Sequence, residues 1–159
     1  MRIRRDRLTD ELEELYGREF QSFVRVARAI TGDRERAIEA VHDGFANALQ
    51  ARKAFRGDGP LAAWVWRIVV NAARAASRSP LVEEPLRERP SEVPTHIAEL
   101  APVVAALPER QRHAIFLRYY ADLDYRTIAS ILGIEVGTVS ATLAAAHGSI
   151  RIALEEVIP

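Results

Sequence analysis

The stretch from Leu123 to Arg151 constrains the fold most, because it carries two apolar stripes at helical spacing separated by a glycine. The first stripe ends at Leu132, and Gly133 follows where a helix C-terminus commonly adopts positive φ. The second stripe recurs at intervals of three or four residues and comprises Val139, Leu143, Ala146, Ile150 and Leu154. Two helices joined by a tight turn are therefore predicted.

This arrangement is typical of a helix-turn-helix, whose second helix reads duplex DNA. Ile134 and Val136 are expected to fill the gap between the helices, and Thr138 is expected to cap the second one. A plain helical hairpin within a bundle would show the same apolar pattern. The pattern alone leaves both interpretations open.

The predicted reading helix is nearly free of charge. From Gly137 to Ser149 the only ionisable side chain is His147, with Arg126 and Arg151 on either side. Arginine and lysine supply most phosphate and guanine contacts in protein–DNA complexes. The shape of this segment therefore indicates DNA reading, whereas its charge indicates weak DNA binding.

The charge of the whole chain is zero but unevenly distributed over its 159 residues. Residues 1–79 hold 15 basic and 11 acidic side chains, residues 80–100 hold 2 and 5, and residues 101–159 hold 5 and 6. Pro80 to Pro94 contains four prolines and four glutamates, which rules out a continuous helix. We expect two domains, 1–79 and 97–159, joined by a flexible acidic linker at 80–96. A surface loop within one domain is the alternative.

An all-α fold is predicted on both sides of this linker, because alternating strand patterns are absent. Helices are expected at about 9–30, 33–51 and 61–77 in the first domain, and Asp33 is expected to cap the second of them. Others are expected at about 97–106 and 108–120, before the final helix pair.

The third predicted helix has an apolar side and a basic side. The side expected in the core comprises Leu61, Trp64, Val65, Ile68, Ala72 and Ala75. The other side comprises Arg67, Asn71, Arg74 and Arg78 with Trp66 beside them, and the preceding loop adds Arg52, Lys53 and Arg56. Cations next to an exposed aromatic ring suit single-stranded nucleic acid. A solvated helix face with Trp66 buried is the alternative, and the pattern alone favours it.

No constellation of residues indicates an enzyme, a cofactor or a metal site. Glycine-rich phosphate loops and HExxH are absent, and the chain has no cysteine. The histidines at 42, 96, 113 and 147 are scattered and are expected at the surface or its boundary. No apolar run approaches the roughly 20 residues of a membrane span, and the basic N-terminus lacks the apolar stretch of a signal peptide. We expect a cytoplasmic protein without membrane insertion.

Three segments in this order resemble the bacterial RNA polymerase sigma factors, specifically the two-domain extracytoplasmic-function group. They read TGDRERAIEAVHDGFANAL, FRGDGPLAAWVWRIVVNAARAASR and LAPVVAALPERQRHAIFLRYYADLDYRTIASILGIEVGTVSATL. The resemblance implies a non-enzymatic subunit that binds core polymerase and promoter DNA, with 1–79 as region 2 and 97–159 as region 4. It also allows an anti-sigma factor as a further partner. The second hypothesis is a sigma-like protein-interaction module with little sequence-specific DNA binding.

The resemblance also implies three sets of functional residues. Core polymerase would contact Glu39, Val41, His42, Asp43 and Phe45. The melted minus-ten element would contact Arg52, Lys53, Arg56, Gly57, Trp66, Arg67, Asn71, Arg74 and Arg78. The minus-thirty-five duplex would contact Arg126, Thr138, Ser140, Thr142, His147 and Arg151.

The chain departs from the family pattern at positions that matter for DNA reading. Ser140, Thr142, Ala145 and His147 stand where the family usually has basic residues. Gly44 also adds a helix-weakening residue to the predicted docking helix. We therefore expect the face from Arg67 to Arg78 to carry most of the DNA affinity.

Overall fold

The computed structural model describes residues 6–78, 100 and 102–157, and every regular element within those ranges is helical. The helices are α1 (Arg7–Thr31), α2 (Arg34–Ala51), α3 (Leu61–Ser77), α4 (Glu109–Tyr119), α5 (Tyr125–Leu132) and α6 (Val136–Val157). A short 3-10 turn at Arg52–Ala54 follows α2, and residues 102–105 form a helical turn. The predicted all-α fold is confirmed, whereas the predicted linker at 80–96 lies outside the described residues.

The first three helices form a compact N-terminal unit whose ends follow local sequence signals. The carboxylate of Asp6 accepts a hydrogen bond from the Thr9 amide, which fixes the start of α1. Gly32, at φ 76°, ends α1 in a left-handed conformation that suits glycine. The Asp33 carboxylate then accepts from the Arg36 amide at 2.9 Å, so this residue caps α2 as predicted.

The core of the N-terminal unit is built around a stacked aromatic pair. The rings of Phe23 and Trp66 lie 3.9 Å apart between centroids, and both side chains are fully buried. Val69 and Val70 are buried beside them. The predicted core side of α3 is therefore partly wrong: α3 packs against both α1 and α2, which turns Trp66 inward, and of the residues expected in the core Ala75 is exposed.

Gly44 sets the distance between α2 and α3. A Cβ atom at this position would lie 2.7 Å from Cγ2 and 2.9 Å from Cα of Val69. Real Cβ atoms do not approach that closely, so a side chain here would push the two helices apart. The residue noted as a weak point of α2 is thus what lets α2 and α3 pack tightly.

The last three helices form the C-terminal unit around an aliphatic core. Asp124 caps α5 by accepting from the Thr127 amide at 2.7 Å, and Gly133 ends α5 at φ 68°. The core contains Leu117, Ile128, Val139, Leu143 and Ala146. Two details differ from prediction. Val136 is 45% exposed rather than filling the turn, and Thr138 lies within the first turn of α6 rather than capping it, because α6 already begins at Val136.

Helices α5 and α6 have the geometry of a helix-turn-helix. Their axes meet at 97°, within the range for this motif. Among the described residues no single helix is long and apolar enough to cross a membrane. Among those residues only the bent pair of α5 and α6, taken together, has the length and apolar composition of a membrane span.

Candidate nucleic-acid interface

The basic face of α3 is present, but part of it is already in contact with protein. Arg67, Asn71 and Arg78 are exposed, and Arg74 is half-buried. The guanidinium of Arg67 donates a hydrogen bond to the hydroxyl of Ser130 in α5. Arg74 Nη1 lies 3.5 Å from the carbonyl oxygen of Ile131 in the same helix. The C-terminal unit therefore covers the middle of this face.

Trp66 does not offer its ring to solvent, so the prediction that it stacks on a base is wrong for this structure. Its indole is 0% exposed and packs on Phe23, and its N–H finds no acceptor among the described residues. The partly exposed aromatic pair near the basic face is instead Phe55 and Trp64, whose ring centroids lie 5.4 Å apart. The signal in the sequence was ambiguous, because both tryptophans neighbour apolar residues on α3.

The loop before α3 holds further cations, of which one is already paired. Lys53, Arg56 and Gly57 are exposed, and Gly57 takes a positive φ of 76°. Arg52 instead donates from Nε to the Asp6 carboxylate at 2.7 Å and from Nη1 to the Leu49 carbonyl at 2.7 Å. The bond from Arg52, together with bonds from Thr9, lowers the pKa of Asp6 to about 2. Arg52 thus ties the start of α1 to the end of α2.

The face of α2 expected to bind polymerase carries an aromatic and acidic surface. Glu39, His42 and Asp43 are exposed, Phe45 is half-buried, and Val41 is fully buried. Val41 therefore supports this face from within the core, because its side chain has no exposed surface. His42 Nε2 lies 3.0 Å from the hydroxyl of Tyr16 on α1, and the ring of Tyr16 packs edge-on against Phe45.

On α6 the polar groups of the predicted reading face bond largely within the unit. Ser140 and Arg151 are exposed, as is Arg126 on α5, and Thr138 is half-buried. Thr142 donates its hydroxyl hydrogen to the Thr138 carbonyl at 2.6 Å. His147 Nε2 lies 2.7 Å from the hydroxyl of Tyr119, which is 59% exposed. The helix presents few free donors to DNA.

Two residues of α4 stand beside this reading face although sequence reasoning did not select them. Tyr119 holds His147, as described above. Arg110 borders a shallow depression together with Pro108, Gln111, Ala141, Thr142 and Ala145. Its position places an exposed cation next to the charge-poor surface. Only the packing of α4 across α6 reveals this, since the two segments lie far apart in sequence.

His113 is buried rather than at the surface boundary. It is 3% exposed, and burial lowers its pKa to about 4, with Arg112 and Arg74 acting in the same direction and Glu109 opposing them. Within the described ranges no three histidine, aspartate or glutamate side chains lie close enough together to hold a metal ion.

Comparison with known families matches both units of this chain. The family model described as "Sigma-70 region 2" matches residues 15–79, and "Sigma-70, region 4" matches residues 98–146. The ECF RNA polymerase sigma factor SigM of Mycobacterium tuberculosis is 30% identical over 143 residues, which cover 85% of this chain and 72% of that protein. The chain belongs to the ECF sigma factors. The resemblance inferred from the sequence is confirmed.

Another ECF relative and two solved structures agree with this assignment. The sigma-E factor of Haemophilus influenzae is 32% identical over 123 residues, covering 64% of this chain and 65% of that protein. Sigma factor RpoE of Bartonella quintana, solved with the anti-sigma factor NepR, has a TM-score of 0.75 at 19% identity and covers 92% of this chain and 97% of its own. CnrH, solved with the cytosolic domain of CnrY, has a TM-score of 0.72 at 22% identity, covering 92% and 89%. These two structures share the fold.

Membership of this family fixes the general activity of the chain. ECF sigma factors are non-enzymatic subunits that bind core RNA polymerase and promoter DNA and direct transcription initiation. The basic face on α3 falls in region 2 and the helix-turn-helix of α5 and α6 in region 4. Which residues of this chain make each contact is a separate question.

Proposed function

We propose that the two units of this sigma factor divide promoter binding unequally, with α3 and its preceding loop carrying most of the DNA affinity. One observation carries this proposal: exposed or half-buried cations line α3, whereas the reading face of α6 offers hydroxyls and one histidine. Each cation that neutralises a phosphate changes the salt dependence of binding by about one unit. A helix without such cations contributes little to DNA affinity.

In this proposal the melted minus-ten strand lies along Arg67, Asn71, Arg74 and Arg78, with Lys53, Arg56 and Gly57 at its entry. The aromatic contact comes from Trp64 and Phe55, because Trp66 is buried and these two rings are partly exposed. Stacking on an aromatic ring stabilises an unpaired base by about 1–3 kcal/mol. Arg52 acts indirectly by holding α1 against α2.

Core polymerase is proposed to dock on α2 through Glu39, His42 and Asp43 with Phe45, while Val41 supports them from the core. Tyr16 belongs to the same surface because its hydroxyl contacts His42. Docking there would tether region 4 near the minus-thirty-five element and raise its effective concentration. Weak duplex binding by Thr138, Ser140, Thr142 and His147, helped by Arg126, Arg151 and Arg110, would then suffice.

We further propose that the chain acts in the cytoplasm and has an anti-sigma factor as an additional partner. One of the solved structures described above, RpoE with the anti-sigma factor NepR, is a complex of this kind. The neutral face of α6 is compatible with a protein partner. The same lack of charge is the observation that supports the second hypothesis, a sigma-like interaction module that does not read DNA. Charge reversal on α3 separates that module from a promoter-binding sigma factor.

The test is transcription in vitro with core polymerase, using a pool of genomic fragments as templates. Arg67→Glu combined with Arg74→Glu should reduce promoter-specific transcripts by at least about a hundredfold, because two phosphate contacts become repulsive. Polymerase binding should remain intact. The matched control, Arg126→Glu combined with Arg151→Glu, should reduce transcripts by less than about tenfold. Equal losses from both pairs would contradict the unequal division, and no loss from either would favour the interaction module.

A further inference from the structure

The helix that would read the promoter duplex, α6, begins with an exposed face that is mostly apolar. Val136 is 45% exposed and is one of six large apolar side chains that the described part of the chain leaves open to solvent. Ser140, Ala141 and Ala144 follow it and are exposed as well. The opposite side of the helix packs into the core of the C-terminal unit. Any partner of the exposed face therefore meets methyl groups and one hydroxyl.

Polar side chains near this face are largely engaged within the protein. Thr142 donates its hydroxyl hydrogen to the Thr138 carbonyl at 2.6 Å. His147 Nε2 lies 2.7 Å from the hydroxyl of Tyr119. No partner is recorded for the hydroxyl of Ser140 among the described residues, so this group can bond a base without giving up a bond inside the protein.

The edges of the bases differ in what they ask of a reading helix. The recognition helix of a helix-turn-helix enters the major groove, and its N-terminal residues touch the base edges. There guanine is bound by arginine or lysine, adenine by asparagine or glutamine, and the C5 methyl of thymine by apolar side chains. From residue 137 to residue 149 the chain has none of those four polar residue types. Thymine is the base whose edge matches this face.

Charged side chains flank the apolar face rather than lying on it. Glu135 is exposed immediately before α6, and Arg110 of α4 borders the depression beside Ala141. A cation at that border can hold a phosphate, which orients the helix but carries no sequence information. The carboxylate of Glu135 could accept from the amino group of cytosine, so it is the competing reader at this end of the helix.

We propose that the start of α6 selects thymine in the minus-thirty-five duplex. Val136, Ala141 and Ala144 pack against C5 methyl groups, and Ser140 donates to a thymine O4. This inference rests on the proposed reading of that duplex by α6. It is compatible with weak duplex binding, because specificity depends on the difference in affinity between bases and not on the total affinity.

The length of this face sets the length of the selected element. Val136 and Ala144 are eight residues apart, which corresponds to about 12 Å along the helix axis. At about 3.4 Å per base pair this distance covers three to four base pairs of the duplex. We therefore expect a short run of T·A pairs in either orientation.

Transcription by the holoenzyme tests the base preference on the full chain. The template is a promoter recovered from the genomic pool, in which about ten base pairs around the minus-thirty-five position, one turn of duplex, are randomised. A downstream barcode identifies the templates that give transcripts. T·A pairs should be enriched about fourfold at each contacted position, the effect expected from burial of one methyl-sized group.

Deoxyuridine then tests the methyl group itself, since it differs from thymidine only by lacking that group. Replacing thymidine at the enriched positions should lower transcription about fourfold for each methyl removed. The matched control is the same replacement at positions of the duplex that show no enrichment, which should have no effect. Equal transcription from both bases at the enriched positions would overturn the proposal, because selection would then act through duplex shape.

Other results of the selection would also contradict the methyl contacts. Enrichment of guanine would assign the reading to an arginine, and enrichment of cytosine would assign it to Glu135. Promoter-specific transcripts without enrichment at any randomised position would show that α6 does not read sequence, while leaving α3 as the main DNA face. Failure to obtain promoter-specific transcripts from the genomic pool would reject the proposed function itself, and this inference with it.

A pair of variants tests whether this particular face sets the preference. Ser140→Arg should replace thymine by guanine at one enriched position, because a guanidinium binds guanine O6 and N7. Ser149→Arg adds the same charge at an exposed position nine residues later, about half a turn around the helix, and should leave the base preference unchanged. An unchanged preference in Ser140→Arg, or the same shift in both variants, would overturn the assignment.

Discussion

The two units of this sigma factor differ in what they bury and in what they present. The N-terminal unit encloses a stacked pair of aromatic rings, Phe23 and Trp66, and displays a row of arginines on α3. The C-terminal unit encloses aliphatic side chains, and its reading helix displays hydroxyls and small residues. The difference shows that a helix-turn-helix shape and a DNA-binding charge are independent properties. The apolar positions maintain the first, and only exposed cations supply the second.

The largest expected effect in this comparison comes from the aromatic pair of the N-terminal unit. Trp66→Ala should lower the free energy of unfolding by about 3–5 kcal/mol, because it leaves a large cavity against Phe23. Trp66→Phe keeps an aromatic ring and removes the unpartnered indole N–H, so it should cost less than about 1.5 kcal/mol. Urea unfolding measures both.

Trp64→Ala is the matched control for that experiment, since its ring is only half-buried. It should lower the free energy of unfolding by less than half as much and should weaken binding of a labelled single strand of DNA. If Trp64→Ala destabilised the protein more than Trp66→Ala, Trp64 would be the core ring and Trp66 the ring that contacts the DNA strand.

The second effect concerns the C-terminal unit and its buried histidine. The pKa of His113 falls to about 4 from an ordinary 6.5, chiefly because burial disfavours the charged ring. Between these values the unfolded chain binds a proton that the folded chain does not. The contribution of His113 to the free energy of unfolding is therefore fully present above about pH 6.5. It is lost as the pH falls toward 4, by on the order of 3 kcal/mol in total.

Urea midpoints at neutral pH and at about pH 5 measure this loss. His113→Gln should flatten the pH dependence of the urea midpoint, although this variant should be less stable than the wild type at neutral pH. A pH dependence that survives His113→Gln would assign the loss to other groups.

The third effect separates two glycines within the N-terminal unit. Gly44→Ala should destabilise the protein by about 1–3 kcal/mol, because the new Cβ would collide with Val69 and part α2 from α3. Gly17→Ala, in the middle of α1 with no atom within 4 Å of the added Cβ, should stabilise it by about 0.5–1 kcal/mol. Thermal unfolding distinguishes them by sign. Stabilisation by both would show that α2 and α3 do not approach as closely as described.

Apolar spacing and turn residues were enough to predict the helices and their order. Asp33 and Gly133 fixed helix ends as expected, because capping depends only on neighbouring residues. The side of α3 that faces the core was harder. Trp64 and Trp66 both neighbour apolar residues, and the choice between them depends on where α1 and α2 pack.

Contacts between the two units left no signal in the sequence for a further reason. Arg67 bonds a serine hydroxyl and Arg74 a backbone carbonyl, and neither acceptor forms a motif. The burial of His113 and the position of Arg110 beside α6 likewise depend on how α4 packs. Properties of single helices were predictable from local spacing, whereas properties of helix–helix interfaces were not.

The smallest expected effect compares one aspartate cap from each unit. Asp124→Ala removes the bond from the Thr127 amide and should weaken α5 by about 1 kcal/mol, which raises hydrogen exchange of its amides about fivefold. Asp33→Ala removes the equivalent bond at α2. Because α5 has eight residues and α2 has eighteen, α5 depends more on its cap, so faster exchange should spread across all of α5 but stay in the first turn of α2. Spreading of exchange from Asp124→Ala into α3 would show in addition that α5 and α3 open together, as a shared interface requires. Unchanged exchange throughout α5 would contradict the cap itself.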